Sequence, residues 1–218
     1  MPDASILVTK RKNESLPWEE EASIQGRVKL KQEQFKLDYD IEKLSRALKS
    51  ISETEDADAA VALLLKEADE DFRILFVERV KNPVDPWSGQ MAFPGGKRSS
   101  ADQNLMQTIV RETLEETNIN LLDQCRFLGA MTTLTSTQKP EMKVFPFVFL
   151  LQHERLIKLN RRELESFVWI SLGELFQSEG RVKFEFGEYP AYVVSNNVIW
   201  GLTYRILKNL ESLLRKEM

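Results

Sequence analysis

GGKRSSADQNLMQTIVRETLEETNI, Gly95 to Ile119, is the stretch on which the reading of the whole chain turns. Its second half, Arg111-Glu112-Thr113-Leu114-Glu115-Glu116, has a helical pattern. At about 100° per residue, Glu112, Glu115 and Glu116 fall within an arc of roughly 100° on one helix face. Met106, Val110 and Leu114 recur at steps of four and form the expected apolar stripe on the other side. Like charges at this spacing destabilise a bare helix by a few tenths of a kcal/mol per pair, so the cluster calls for a compensating partner. Mg²⁺ or Mn²⁺ suits it, because a hard divalent cation prefers carboxylate oxygens and keeps waters that a phosphate can replace. For the glutamates alone, a solvated acidic face is the commoner explanation. The residues ahead of the helix shift that balance. Phe93-Pro94-Gly95-Gly96 is a glycine turn that lets backbone come close to a ligand, and free amides near a helix start can donate to phosphate oxygens. Asp102 stands where the helix is expected to begin and to be capped.

Together these residues resemble the Nudix family, whose signature is G-x5-E-x7-R-E-U-x-E-E-x-G-U, with U a bulky apolar residue. The matching positions are Gly96, Asp102, Arg111-Glu112, Glu115-Glu116 and Ile119. Asp102 replaces the first glutamate, one extra residue lies between the glycine and the arginine, Thr113 replaces an apolar residue, and Asn118 replaces the last glycine. Asn tolerates the left-handed conformation well, so the helix can still end there. The FPGGK start and the extra residue resemble the coenzyme A diphosphatase branch, as does IWGLTYRIL, Ile199 to Leu207, which is equally well explained as a core helix.

The resemblance implies a metal shell of Glu112, Glu115 and Glu116, completed by the Gly96 carbonyl. It implies that Arg111 orients a glutamate and that Asp102 braces Arg111. Glu112, Glu115, Glu116 and Arg111 are thus the candidate catalytic residues. Arg79 at a strand end, with Gly95, Gly96 and Lys97 of the turn, are the candidate substrate-binding residues. The implied reaction is attack of water on a diphosphate, with Glu141, Glu163 and Glu165 as candidate bases, each also readable as a surface charge. Coenzyme A or a derivative is the first substrate, then nucleoside triphosphates or ADP-ribose-like molecules. A non-catalytic nucleotide-binding or interaction Nudix domain is the rival class.

Outward from this segment the order of elements is mixed. Residues 1–55 read as a polar arm, with a short strand around Ile6–Thr9, followed by an amphipathic helix whose face is Leu37, Ile41, Leu44, Leu48 and Ile51. That helix is expected to pack on the body or on a second subunit, and a homodimer is one possible outcome. Ser52–Asp58 reads as a loop. Residues 56–218 form the expected Nudix domain. AAVALLLK and FRILFVER make a hairpin, residues 80–100 a loop, and Asp102–Thr117 a helix. Strands follow at Phe127–Thr133, Val144–Leu151 and Phe167–Ile170, then a short helix at Ser171–Phe176. Lys183–Phe186 and Ala191–Val194 form a second hairpin. A last amphipathic helix carries Trp200, Tyr204, Leu207, Leu210 and Leu214. This order is α+β, expected to fold as a Nudix-type α/β/α sandwich around a mixed sheet with an N-terminal helical extension.

Composition fits a globular chain, with 42% hydrophobic and 29% charged residues. A net charge of −4 gives no basic surface for a nucleic-acid polymer. No run approaches the roughly 18–20 apolar residues of a membrane span. Cys125, the single cysteine, excludes an internal disulfide, reads as a small core residue, and suits a cytoplasmic location. His153, the single histidine, has no partner for zinc or triad chemistry and reads as a surface residue. Trp87 reads as packing beneath its loop or stacking on a base.

Overall fold

The computed structural model describes residues 8–9, 40–50, 56–68, 71–82, 87–136 and 139–216. Their elements, in chain order, are β1 (Val8–Thr9), α1 (Ile41–Ala47), β2 (Ala59–Ala68), β3 (Asp71–Arg79), β4 (Met91–Ala92), β5 (Gly95–Lys97), α2 (Leu105–Thr117) and α3 (Leu121–Gln124), then β6 (Cys125–Ala130), β7 (Leu134–Thr135), β8 (Lys143–Leu151), β9 (Leu164–Ser171), α4 (Leu172–Gln177), β10 (Glu179–Phe184), β11 (Gly187–Val194), β12 (Asn197–Trp200) and α5 (Gly201–Lys216). Leu37, Ile51, and the parts of the expected arm and loops at residues 1–7, 10–39, 51–55 and 83–86 lie outside the described residues.

The main sheet runs β4-β3-β2-β8-β6, with β5 on β2, β7 on β8 and β9 on β3. β2 and β8 are parallel and the other pairs antiparallel, so the sheet is mixed and the fold α+β. A smaller antiparallel sheet has the order β1-β10-β11-β12.

The long strands are apolar on both faces because both faces of the main sheet are covered. Ala60, Ala62 and Leu64 of β2 join Leu75 of β3 and Phe145, Phe147 and Phe149 of β8 in one core, closed by Leu105 and Ile109 of α2. The alternate residues, Leu63 and Leu65 with Ile74, Phe76, Val148 and Leu150, join a second core closed by α1, α4, α5 and the inner face of the small sheet. The two-residue period of a strand thus divides each run between two cores.

Several elements differ from the sequence reading. The glycine turn is strand β5, paired through Ala60↔Gly96 and Val61↔Gly95, so the expected loop over residues 80–100 contains two short strands. The strand expected at Phe127–Thr133 begins at Cys125 and stops at Ala130, with β7 following separately. The second hairpin starts at Glu179 and acquires a third strand, so Trp200 ends β12 and does not enter α5. Pro190 sits inside β11 opposite Arg181. Helix α3 was not anticipated. Cys125 is half-buried, and burial pushes its thiol up to about 12, which leaves it unreactive as a nucleophile. His153 is exposed. Among the described residues no helix is long and apolar enough to cross a membrane.

Helix α1 packs on the body of the same chain. Leu44 and Leu48 enter the second core with Ile41 beside them. Ser45 Oγ donates to the Leu128 carbonyl at 2.9 Å. Lys49 and Ala130 exchange both main-chain hydrogen bonds at 2.9 Å, and Arg126 pairs with Glu42. The helix and its last residues therefore cover the outer edge of β6, an edge that would otherwise present unpaired amides. At 1% exposed, Leu44 is as buried as the strands, and Leu44→Ala is expected to lower unfolding free energy by about 2–5 kcal/mol, read from chemical denaturation. A change below about 0.5 kcal/mol would mean that the helix is not part of the cooperative core.

A second prediction concerns Glu211 of α5, which is 5% exposed. It accepts hydrogen bonds from Tyr192 Oη at 2.9 Å, Lys208 Nζ at 2.7 Å and Arg215 Nε at 3.0 Å. Burial alone pushes its carboxyl up, but these donors outweigh burial and hold it below its ordinary value. The folded protein therefore ionises this group at lower pH than the unfolded chain does. Its stabilisation is complete above about pH 4.5, the ordinary value, and drains away as the pH falls through the folded value. The stability difference between wild type and Glu211→Gln should be large at pH 7 and shrink towards pH 3. A difference independent of pH would contradict this origin.

Candidate active site

Helix α2 starts one turn later than its acidic residue suggested. Asn104 is the N-cap, accepting from the Gln107 amide at 3.0 Å. Asp102 lies ahead of it, 8% exposed, and accepts from the Ser99 amide at 2.8 Å and Thr108 Oγ1 at 3.1 Å. The helix ends as expected, with Asn118 in the left-handed region at φ 62°.

The buried face of α2 consists of Leu105, Thr108, Ile109, Thr113, Glu116 and Thr117. Met106 and Val110 flank it and Leu114 is 43% exposed. The expected Met106–Val110–Leu114 stripe is thus one residue out of phase. The true face carries threonines and a glutamate, so apolar periodicity pointed to its neighbour. Among the described residues, the Thr113 hydroxyl is buried without a hydrogen-bond partner, a cost of about 1–3 kcal/mol.

The rotation separates the three glutamates. Glu116 is 3% exposed and accepts from the Gly95 amide at 2.8 Å. Burial pushes its carboxyl up to about 8; the Gly95 amide and Arg79 pull it back, while Glu112 and Glu163 push it further. Glu112 is also raised, by burial first, with Arg111 opposing. Glu115 lies on the exposed flank, its side chain 58% accessible. Glu112 and Glu116 line one cleft and Glu115 does not.

Arg111 connects the group. Its Nε and Nη2 donate to the two oxygens of Asp102 at 3.1 and 2.8 Å, Nη1 to Glu112 at 2.8 Å and Glu115 at 3.2 Å, and Nη2 also to the Lys97 carbonyl at 3.3 Å. The Arg111 guanidinium holds Asp102 well below the usual carboxylate range, and Asp102 raises Arg111 in turn. The expected bracing of Arg111 by Asp102 is therefore a two-point, charge-assisted contact.

The cleft has a volume of about 330 Å³. Gly95, Gly96, Lys97, Glu112 and Glu116 form its polar floor, with Arg79 and Glu163 at its side. Met91, Phe93, Val144, Leu202 and Ile206 supply an apolar wall. Trp87 lines it as well, with Lys139 Nζ 5.0 Å from the ring centroid. All four sequence-predicted substrate residues, Arg79, Gly95, Gly96 and Lys97, meet here. Of the candidate bases, Glu163 lines the cleft, held by Asn160 Nδ2 at 3.0 Å. Glu141 lies in an adjoining groove, and Glu165 is exposed on β9. The wall residues from α5 were not anticipated, because amphipathic periodicity does not say which core a helix closes.

Among the described residues no three His, Cys, Asp or Glu side chains converge closely enough to enclose an ion. The donor chemistry nevertheless suits a hard divalent cation. Two carboxylates whose charged forms are disfavoured by burial share a water-accessible cleft with a main-chain carbonyl strand.

The sequence profile of the NUDIX domain matches residues 56–191. An uncharacterized protein of Schizosaccharomyces pombe is 36% identical over 117 residues, 51% of this chain and 36% of that protein. A peroxisomal coenzyme A diphosphatase of Caenorhabditis elegans is 28% identical over 146 residues, 61% of each chain. The chain thus spans 36% and 61% of the length of these two relatives. Among solved structures, the MutT protein of Methanosarcina mazei Go1 has 22% identity and a TM-score of 0.48, covering 73% of this chain and 94% of its own. The matched segment is the greater part of the chain and contains the glycine strand, α2 and both cleft glutamates: the chain belongs to the Nudix family.

Proposed function

We propose that the chain is a divalent-cation-dependent hydrolase of the diphosphate linkage in a nucleoside-diphosphate-linked small molecule. The observation that carries this reading is the pairing of Glu112 and Glu116 at the Gly95–Lys97 strand, in a cleft that also holds Arg79, Glu163 and an apolar wall. Mg²⁺ or Mn²⁺ held by Glu112 and Glu116, with Glu115 and the Gly96 carbonyl as further ligands, would neutralise the diphosphate oxygens and acidify the attacking water. Arg111, fixed by Asp102, orients Glu112 and Glu115. The Gly95 amide fixes Glu116. Arg79 and Lys97 offer positive charge to the phosphates, and Glu163, which lines the cleft, would take the proton of the water.

Coenzyme A or a derivative is our first substrate. The FPGG run ahead of the helix and the name of the Caenorhabditis elegans relative support it, and the apolar wall suits its long, largely uncharged arm. Nucleoside triphosphates and ADP-ribose-like molecules come second. The single cysteine fits a reducing compartment such as the cytoplasm, while that relative is named as peroxisomal. A non-catalytic nucleotide-binding role draws support from Arg111, which engages Glu112 and Glu115. A panel of diphosphates assayed for phosphate-ester release with Mg²⁺ or Mn²⁺ distinguishes the two. Release of 4′-phosphopantetheine from coenzyme A is the expected result, and binding without turnover of any panel member would refute the hydrolase reading.

Within that panel, Glu116→Gln is expected to lower kcat by about 10²-fold or more, by the scale of lost electrostatic stabilisation in other active sites. The amide retains an oxygen to accept from Gly95, so the fold should survive. In the metal-free protein the variant should melt at or above the wild-type temperature, because it removes a carboxyl whose charged form is disfavoured by burial and by Glu112. Wild-type turnover at saturating cation and substrate would remove Glu116 from the site.

A further inference from the structure

The connection between β8 and β9 is fastened to the turn of α2 that carries Glu116. The last carbonyls of a helix have no partner within it, and two of them are taken here from outside. The Asn160 amide donates to the Glu116 carbonyl at 2.9 Å, and the Lys158 amide to the Thr117 carbonyl at 3.0 Å. The chain then turns sharply on Asn160. Its carbonyl accepts from the amides of Glu163 at 3.0 Å and Leu164 at 2.9 Å, and its Oδ1 accepts from the Arg162 amide at 3.2 Å. On the far side the Glu163 carbonyl accepts from the Val80 amide at 2.9 Å. Leu164, fully buried, pairs with Arg79 where the register shifts between Glu78 and Arg79. The Asn160–Glu163 turn therefore bridges the helix of Glu116 and the strand end of Arg79.

Within this fixed frame the Glu163 side chain is the adjustable part. It is exposed, and an exposed glutamate loses rotamer freedom when it is held in one direction. Asn160 Nδ2 donates to Glu163 Oε1 at 3.0 Å, the one hydrogen bond that this carboxylate accepts among the described residues. Glu163 lines the cleft, and its charge is near enough to push the carboxyls of Glu112 and Glu116 up. Both oxygens of a carboxylate can accept. With Oε1 engaged by the amide, Oε2 is left for a proton.

We infer that Asn160 is a positioning residue for the hydrolysis, its main chain tying the turn to Glu116 and its side-chain amide aiming Glu163 at the attacking water. The inference rests on the reading of Glu163 as the base and adds the residue that directs it. As the water oxygen bonds to phosphorus and the phosphate ester leaves, the water's proton passes to Glu163. Asn160 touches none of the reacting atoms and acts through the carboxylate it holds.

The test uses the full chain and two variants. Asn160→Asp keeps the main-chain contacts and an acceptor for the Arg162 amide, but sets a carboxylate against Glu163 in place of a donor. Asn160→Ala removes the donor without adding charge. Both should lower kcat by about tenfold or more, with KM within about twofold of wild type. In a Glu163→Gln background, where the base is already gone, Asn160→Asp should change kcat by less than about twofold. Wild-type kcat in both variants, or the same fractional loss in the Glu163→Gln background, would overturn the positioning role. The contact itself is read without turnover, from the Asn160 side-chain amide signal in the nitrogen–proton spectrum of the metal-free chain. Glu163→Ala should shift that signal, and a signal indifferent to Glu163→Ala would remove the contact whatever the activity. A chain that shows the shift yet hydrolyses no diphosphate retains the contact and refutes the hydrolase reading, and with it the positioning role.

Discussion

Strand β5 is pressed between a sheet and a carboxylate, and the architecture of the cleft depends on that contact. A Cβ on Gly95 would lie 2.2 Å from the Ala60 carbonyl oxygen, and one on Gly96 would lie 2.5 Å from the Glu112 carboxyl. Gly95 also has φ +147°, which L side chains rarely adopt. Only glycine at residue 95 lets β5 lie this close to β2, while a Cβ at residue 96 would make the Glu112 side chain shift. Once β2, β5 and α2 meet, polar bonds join the layers: Gly95 N–H to Glu116, and Arg111 to the Lys97 carbonyl. A side chain at residue 95 would push β5 off β2, and one at residue 96 would displace a glutamate from the cleft.

This close contact has an energetic consequence. It places Glu116 and half-buried Glu112 where the charged forms of both are disfavoured, and the same buried helix face carries the Thr113 hydroxyl, which has no hydrogen-bond partner among the described residues. Such local conflicts are expected at functional sites and are tolerated when the surrounding fold supplies stability. Here the support comes from the two cores on either face of the main sheet. The first core backs α2 directly through Ala60, Ala62, Leu105 and Ile109, so the helix stays seated even though part of its buried face is polar.

The same conflict explains what was legible in the sequence. The strands were readable because their residues are apolar on both faces, and α1 because Ile41, Leu44 and Leu48 keep helical spacing. Which residues gather in the cleft was largely readable from the box and the strand end ahead of it: Gly95, Gly96, Lys97, Glu112 and Glu116 come together with Arg79. The rotation of α2 was not. Its core-facing positions include Thr108, Thr113 and Glu116; Thr108 is held by Asp102 and Glu116 by the Gly95 amide, contacts that no apolar pattern reveals. Short strands such as β4, β5 and β7 were missed for a related reason. Two or three residues carry no periodicity, and their pairing is fixed by distant partners. Trp200 was assigned to the helix because its apolar character suits either element; the strand is decided by its pairing with Ala191.

Arg111 shows how far the geometry refines a motif. A guanidinium has five N–H donors in one plane, and its contacts run to Asp102 twice, to Glu112, to Glu115 and to the Lys97 carbonyl. In this arrangement no N–H is left for a substrate oxygen. Arg111 therefore acts through the groups it holds, setting the directions of Glu112 and Glu115 and tying α2 to the end of β5. A lysine would bring the charge without the planar fork and could not span these acceptors together. Asp102 gains importance by the same reasoning. With Ser99 and Thr108 also donating to it, it is the fixed end of the chain of contacts that runs from the loop before the helix to the carboxylates of the cleft.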